Sequence, residues 1–208
     1  MMMLKNLFSV KILLIGCFLL VQQTSYQQNA EVRLLKAINP TNPTSGFWKF
    51  TTNSAKPVSF GLPIVLFSAG LITKDKDLQI DGAETLATLG ITTVITLGIK
   101  NIVNRPRPYQ TYTDIYPDHL QAGRSFPSGH TSVAFGTATS LSMLHKEWYF
   151  VVPSYAWATA VGYSRLYLGQ HYPTDILGAA VAGAGSAWIS HKGTNWLRKS
   201  NKFKKKAP

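Results

Sequence analysis

Five long runs without a single Asp, Glu, Lys or Arg limit what this chain can become: residues 57–73, 85–99, 125–145, 148–164 and 176–191. Each is 15 to 21 residues long and mixes large apolar side chains with Gly, Ala, Ser and Thr. Spanning the hydrocarbon core of a bilayer takes about 20 apolar residues in a helix, so these lengths sit at the lower edge of a membrane span. Small residues are what closely packed membrane helices use where they touch. No run shows the alternation of a half-buried strand, and no segment repeats. The runs therefore predict an all-α fold, a membrane-embedded bundle of five core helices. Buried helices of a soluble all-α protein are the alternative.

The charged segments between the runs favour the membrane. If the N-terminus is cytoplasmic and the runs cross alternately, Lys74, Lys76, Lys146 and the C-terminal lysines all face the cytoplasm, as the positive-inside rule requires. The same arrangement gathers Lys100, Arg107, Ser128-Gly129-His130 and the segment from Arg165 to His171 on the outer face. Much of the +12 formal charge lies after Asp175, where seven Lys or Arg residues occur with no acid among them. Residues 192–208 are accordingly expected to be a basic cytoplasmic tail beside anionic lipid head groups. No nucleic-acid-binding motif accompanies them, so a nucleic-acid partner is not expected.

Residues 1–25 carry Lys5 and Lys11 ahead of the apolar run 12–21, the pattern of a secretory signal peptide or an uncleaved anchor helix. Cys17 is the only cysteine, which excludes a disulfide within the chain and any cysteine-based metal site. Residues 22–56 are polar and turn-rich and are expected to form a loop. The helical bundle itself is expected to span 26–191.

Three stretches carry chemistry. In Lys100-Asn101-Ile102-Val103-Asn104-Arg105-Pro106-Arg107-Pro108, the two prolines stop the preceding helix and leave cations in and beyond its last turn. In Phe126-Pro127-Ser128-Gly129-His130-Thr131, Ser128 is a good N-cap, and the unpaired N–H groups of a helix start suit an anion. His130 in the first turn is placed to give a proton to a leaving oxygen. The third stretch runs from Ser164-Arg165 to His171-Tyr172-Pro173-Thr174-Asp175. Pro173 favours a helix start, and the four-residue offset allows His171 and Asp175 to meet. An imidazole held by a carboxylate beside a guanidinium suits attack on an anionic phosphorus.

Taken in order, these stretches resemble the signature of the type 2 phosphatidic acid phosphatase and vanadium haloperoxidase superfamily. That pattern is K-x6-R-P, then P-S-G-H, then S-R-x5-H-x3-D. It is matched here by Lys100 through Arg107-Pro108, by Pro127-Ser128-Gly129-His130, and by Ser164-Arg165 through His171 and Asp175. The resemblance covers roughly residues 57–190. It implies that His171 is the nucleophile, forming a phosphohistidine, and that Asp175 orients it. It implies that His130 protonates the leaving group and later activates water. Lys100, Arg107, Ser128, Gly129 and Arg165 would bind the phosphoryl oxygens. No cofactor or metal is implied, and no carboxylate cluster is present to hold one.

The function expected on this basis is that of a metal-independent membrane lipid phosphatase. Its substrate would be a lipid phosphomonoester or pyrophosphate, of the phosphatidic acid, phosphatidylglycerophosphate, undecaprenyl pyrophosphate or lipid A type. Its place would be a bacterial inner membrane, with the site on the periplasmic face. A soluble secreted acid phosphatase acting on small esters is the alternative. A vanadium haloperoxidase fits poorly with the short, membrane-like chain. A lipid binder without catalysis would need the cations but not the acid–base pair. Arg105 is extra to the signature, with a second phosphate or a lipid head group as its expected contact. The aromatic-rich loop 108–127 is expected to help select the substrate.

Overall fold

The computed structural model describes residues 25–204; all but the last residue of the expected signal peptide or anchor lies outside the described residues. The regular structure of the described residues is all helical: α1 (Ser25–Ile38), α2 (Gly46–Ile72), α3 (Lys76–Val103), the single turn α4 (Pro108–Thr111), α5 (Gly129–Leu144), α6 (Trp148–Tyr167) and α7 (Pro173–Lys204). Helices α2, α3, α5, α6 and α7 form the expected five-helix core, with α5 packed between α3, α6 and α7.

Local chemistry explains the helix ends. Asp75 caps α3 by accepting the N–H groups of Asp77 at 2.9 Å and Leu78 at 3.2 Å. At the other end Asn104 turns left-handed, at φ 52°, and Pro106 prevents continuation. Helix α7 begins at Pro173, whose missing N–H is no loss in a first turn.

The bundle sorts its residues in the opposite sense to a water-soluble fold. Its interior is lined by Thr85, Thr88, Thr92 and Thr96 of α3, Thr131, Ser132, Thr137 and Ser140 of α5, and Ala179, Ala182, Ser186 and Ser190 of α7. Its outside carries Phe60, Ile64, Val65, Val94, Leu97, Val152, Leu177, Val181 and Trp188. Large apolar groups outward and small polar groups inward is the pattern of helices surrounded by lipid. Most of the inner hydroxyls find partners within the bundle, Thr96 Oγ1 being an exception. Thr88 and Thr92 donate back to the carbonyls of Glu84 and Thr88, and the Thr85 and Ser140 hydroxyls pair at 3.0 Å across α3 and α5. Gly183 lets the backbones of α5 and α7 touch, since a Cβ there would run into the Ser132 carbonyl and lie 2.6 Å from the Gly136 nitrogen. Among the described residues, two stretches, Gly46–Ile72 and Lys76–Thr111, are long and apolar enough to cross a membrane.

One expectation needs correction. Residues 22–56 are not a loop: Ser25–Ile38 form α1, and α2 begins at Gly46. Helix α1 is polar on most sides, and its helicity rests on tertiary packing. Val32 and Leu35 pack in one cluster with Ile115, Leu166 and Tyr172. Asn39 then pins its end, donating to the carbonyls of Tyr116 at 2.9 Å and Tyr167 at 2.8 Å and accepting the Tyr116 N–H at 2.8 Å. The basic segment is helical where it is described, continuing α7 as far as Lys204.

The last turn of α3, α4, the first turns of α5 and α7 and the last turn of α6 meet at one end of the bundle, with α1 packed beside α6 and α7. The chemistry-bearing residues gather there.

Candidate active site

His171 lies just ahead of α7, 2% exposed, and Asp175 in the first turn of α7 is fully buried. Asp175 Oδ2 accepts the Tyr172 N–H at 2.8 Å, a capping contact made possible by the sharp helix start at Pro173. That contact aims the carboxylate at His171, whose Nδ1 lies 3.4 Å from Oδ2. The Ser125 hydroxyl donates to the same Oδ2. On the far side of the ring, Arg107 Nη1 donates to His171 Nε2 at 3.3 Å. A guanidinium can only donate, so Nε2 carries the lone pair and Nδ1 the proton. Burial pushes the His171 imidazole down to about 3, with the nearby Arg165 and Arg107 charges adding to the effect and Asp175 opposing it. The ring is therefore neutral at physiological pH, with the lone pair on Nε2.

The other expected site residues lie at the same end of the bundle. Arg107 is 4% exposed and held rigidly: Nη1 also reaches the Gln170 carbonyl at 3.0 Å and Nε the Gly123 carbonyl at 3.3 Å. Lys100 Nζ donates to the Arg124 carbonyl at 2.6 Å, and its charge acts on Arg107, Asp175 and Arg165. Arg165, 1% exposed, donates to Thr52 Oγ1 at 2.9 Å and Gln121 Oε1 at 3.0 Å, while its buried Nε has no hydrogen-bond partner. The charges of Arg165, Lys56, Arg107 and His119 all reach His130, in the first turn of α5. Ser128 sits at the N-cap position of α5, but its hydroxyl makes no cap bond and instead accepts from Thr131 at 3.0 Å. Its backbone N–H donates to the Asp175 carbonyl at 3.2 Å, which ties the start of α5 to the start of α7. The space beside Gly129 is open: a Cβ there would meet nothing within 4 Å.

Arg105, extra to the signature, donates to Asp175 Oδ1 at 2.9 Å and to Glu31 of α1. The loop 108–127 packs over the site. Tyr109 and Gln121 bond each other through the Tyr109 hydroxyl, and Gln170 Nε2 reaches Asp118 at 2.8 Å and the His119 carbonyl at 2.7 Å. Gly169, at φ 65°, lets the chain pass where a Cβ would lie 2.5 Å from the Tyr116 carbonyl oxygen.

Sequence reasoning missed Ser125, Gln121, Gln170, Thr52, Lys56 and Glu31. Lys56 stands one turn beyond Thr52 on the same face of α2, an exposed cation inside a long apolar helix, which was itself a legible sign of function. The others leave no local signature, because their partners lie far away in the chain.

Comparisons with known proteins agree with this geometry. A family model described as the PAP2 superfamily matches residues 82–199. The chain is 38% identical over 80 residues to the lipid A 4'-phosphatase of Bacteroides thetaiotaomicron, covering 36% of each chain. It is 30% identical over 161 residues to the putative undecaprenyl-diphosphatase YbjG of Escherichia coli, covering 75% of this chain and 78% of that one. The chain thus spans little more than a third of the length of the Bacteroides relative. In structure it resembles the transmembrane PAP2-type phosphatidylglycerolphosphate phosphatase of Bacillus subtilis. There the TM-score is 0.68 at 25% identity, over 89% of this chain and 94% of that one. A bundle with lipid-facing walls, the three signature stretches meeting at one end of it, and a family match across more than half the chain lead to one result: this protein belongs to the PAP2 superfamily.

Proposed function

We propose that the chain is a membrane lipid phosphatase that removes phosphate from a lipid phosphomonoester or diphosphate through a phosphohistidine on His171. One observation carries the reading. A neutral imidazole with its lone pair on Nε2 faces a buried set of cations, in which the Arg165 Nε–H has no acceptor within the protein. A buried donor left unsatisfied costs about 1–3 kcal/mol, and a phosphoryl oxygen would satisfy it. Arg107 and Arg165 offer planar forks and Lys100 a point charge to the remaining oxygens.

In the reaction, His171 Nε2 attacks phosphorus, an N–P bond forms, and the bond from phosphorus to the leaving oxygen breaks. His130, charged once the anionic phosphate sits among the cations, gives its proton to that oxygen. Asp175 stabilises the charge gained by His171. Neutral His130 then takes a proton from water, the hydroxide attacks phosphorus, and the N–P bond breaks to release phosphate and neutral His171. The site's contribution is positioning and charge stabilisation, as phosphoryl transfer demands.

The apolar outer wall favours a lipid substrate over a small soluble ester. Substrates named for the relatives, lipid A and undecaprenyl diphosphate, mark the classes to try. The charge pattern of the loops supports a site on the periplasmic face of a bacterial inner membrane. The test is phosphate release from a panel of lipid phosphates by wild type and His171→Ala in detergent, with EDTA present. Turnover that EDTA leaves intact and His171→Ala abolishes is the expected result. Turnover of small soluble esters alone would overturn the lipid assignment.

A further inference from the structure

Helix α1 lies outside the family match, yet it is wired to the acid beside His171. Arg105 stands between two carboxylates. Its Nη1 donates to Asp175 Oδ1 at 2.9 Å, and its Nη2 pairs with Glu31 of α1. Thr174 closes the ring, accepting from Arg105 Nη1 at 2.8 Å and donating to Glu31 Oε2 at 2.6 Å. The Arg105 guanidinium also lies 3.7 Å from the centre of the Tyr172 ring. All three charged side chains are withdrawn from solvent, at 7% exposure for Glu31, 16% for Arg105 and 0% for Asp175.

Withdrawn charges act strongly on one another. Asp175 has to stabilise a positive charge that appears on His171 when Nε2 bonds to phosphorus. Arg105 alone, 2.9 Å from the same carboxylate, would cancel the negative field Asp175 needs for that purpose. It would also repel the new imidazolium. Glu31 reverses both effects. With Glu31 in place, the set of Glu31, Arg105 and Asp175 carries one net negative charge before attack, and becomes neutral when His171 turns cationic. Seating α1 does not call for this carboxylate, since Val32 and Leu35 pack its apolar side and Asn39 pins its end. A buried acid that packing does not require points to an electrostatic task.

We propose that Glu31 is a positioning residue of the reaction: it neutralises Arg105, so that Arg105 can orient Asp175 without cancelling the charge Asp175 presents to His171. Helix α1 is then a functional part of the site, supplying from outside the signature the carboxylate that balances it. The inference rests on the reading of His171 as nucleophile.

The test uses the full chain in detergent, with dioctanoyl phosphatidic acid as the probe. Steady-state kinetics are compared for wild type, Glu31→Gln, Glu31→Asp, Arg105→Gln, the Glu31→Gln/Arg105→Gln double variant and His171→Ala. Glu31→Gln keeps the size and acceptor oxygen of the side chain and removes only its charge. It is expected to lower kcat about ten-fold with KM not raised, a coupling within the range seen for residues sharing one network. In the Arg105→Gln background the same change is expected to cost two-fold or less, because the cation it balances is gone. Glu31→Asp, which retains the charge, is expected to recover most of kcat. Three results would each overturn the inference: wild-type kcat in Glu31→Gln, an equal loss in both backgrounds, or a loss that Glu31→Asp does not relieve. Should Glu31→Gln fail to fold, Glu31→Ala, compared in the wild-type and Arg105→Gln backgrounds, takes its place with the same expected outcomes. Turnover surviving in His171→Ala, or no turnover of the probe by wild type, would instead strike the phosphatase reading. A dead His171→Ala beside an unimpaired Glu31→Gln removes only the role of Glu31.

Discussion

At the scale of single residues, the chemistry turns on how one carboxylate is shared. Asp175 Oδ2 meets His171, Ser125 and the Tyr172 N–H, while Oδ1 meets Arg105. Replacing it with Asn keeps the volume but turns a charge-assisted acceptor into an amide, and it leaves the His171 tautomer unset. Asp175→Asn is expected to lower kcat about 10³-fold or more with a much smaller change in KM, as His–Asp pairs elsewhere behave. Steady-state phosphate release measures this. His171 also links acidity to stability. Its folded pKa of about 3 lies below the ordinary 6.5, so between these values the unfolded chain binds the extra proton. The contribution is fully present above pH 6.5 and is lost as pH falls toward 3. His171→Gln is thus expected to lose less melting temperature than wild type between pH 7 and pH 4.5, in thermal scans in detergent. Equal losses would show that His171 takes up its proton as readily in the folded protein as in the unfolded chain.

At the scale of elements, the site is a meeting of helix ends, and α1 with the 112–126 loop completes it. Asn39 is the rivet: one buried amide satisfies two carbonyls and one N–H on two different segments. Asn39→Ala strips partners from all three at once, and a buried group left unpaired costs about 1–3 kcal/mol. A lower melting temperature is expected together with reduced turnover, because the released loop carries Gln121, the partner of Arg165. A variant that melted earlier yet turned over normally would show that the loop's position is immaterial to the chemistry. The signature stretches were legible at this scale because each is local. Pro173 begins α7 as expected, and the four-residue spacing does bring His171 and Asp175 together. Helix α1 was not legible, because its stability comes from Ile115, Leu166 and Tyr172, more than 75 residues away.

At the scale of the whole molecule, apolar side chains outside and hydroxyls inside require a non-aqueous surrounding. The protein is expected to partition entirely into the membrane fraction and to leave it only with detergent; recovery in detergent-free buffer as a monodisperse species would contradict the lipid-facing role of Ile64, Val65, Val94 and Leu97. The even distribution of small residues along α5 and α7 also explains why helical periodicity in the sequence was a weak guide. When every face of a helix is either lipid or a close helix neighbour, the contrast between faces fades.

The amino-acid sequence alone settled the helical class and the five core helices, and it placed the signature residues, because uncharged run lengths, proline positions and three- or four-residue offsets are local quantities. Folding settled the rest: which cation faces His171 and which one is held by carboxylates. Arg105 and Arg107 are two residues apart and look interchangeable in the sequence. In the structure one faces His171 Nε2, while the other is held by Glu31 and Asp175, 74 and 70 positions away. Pairings over such separations depend on how helices pack. Packing is a property of the assembled bundle, and no local pattern of residues encodes it.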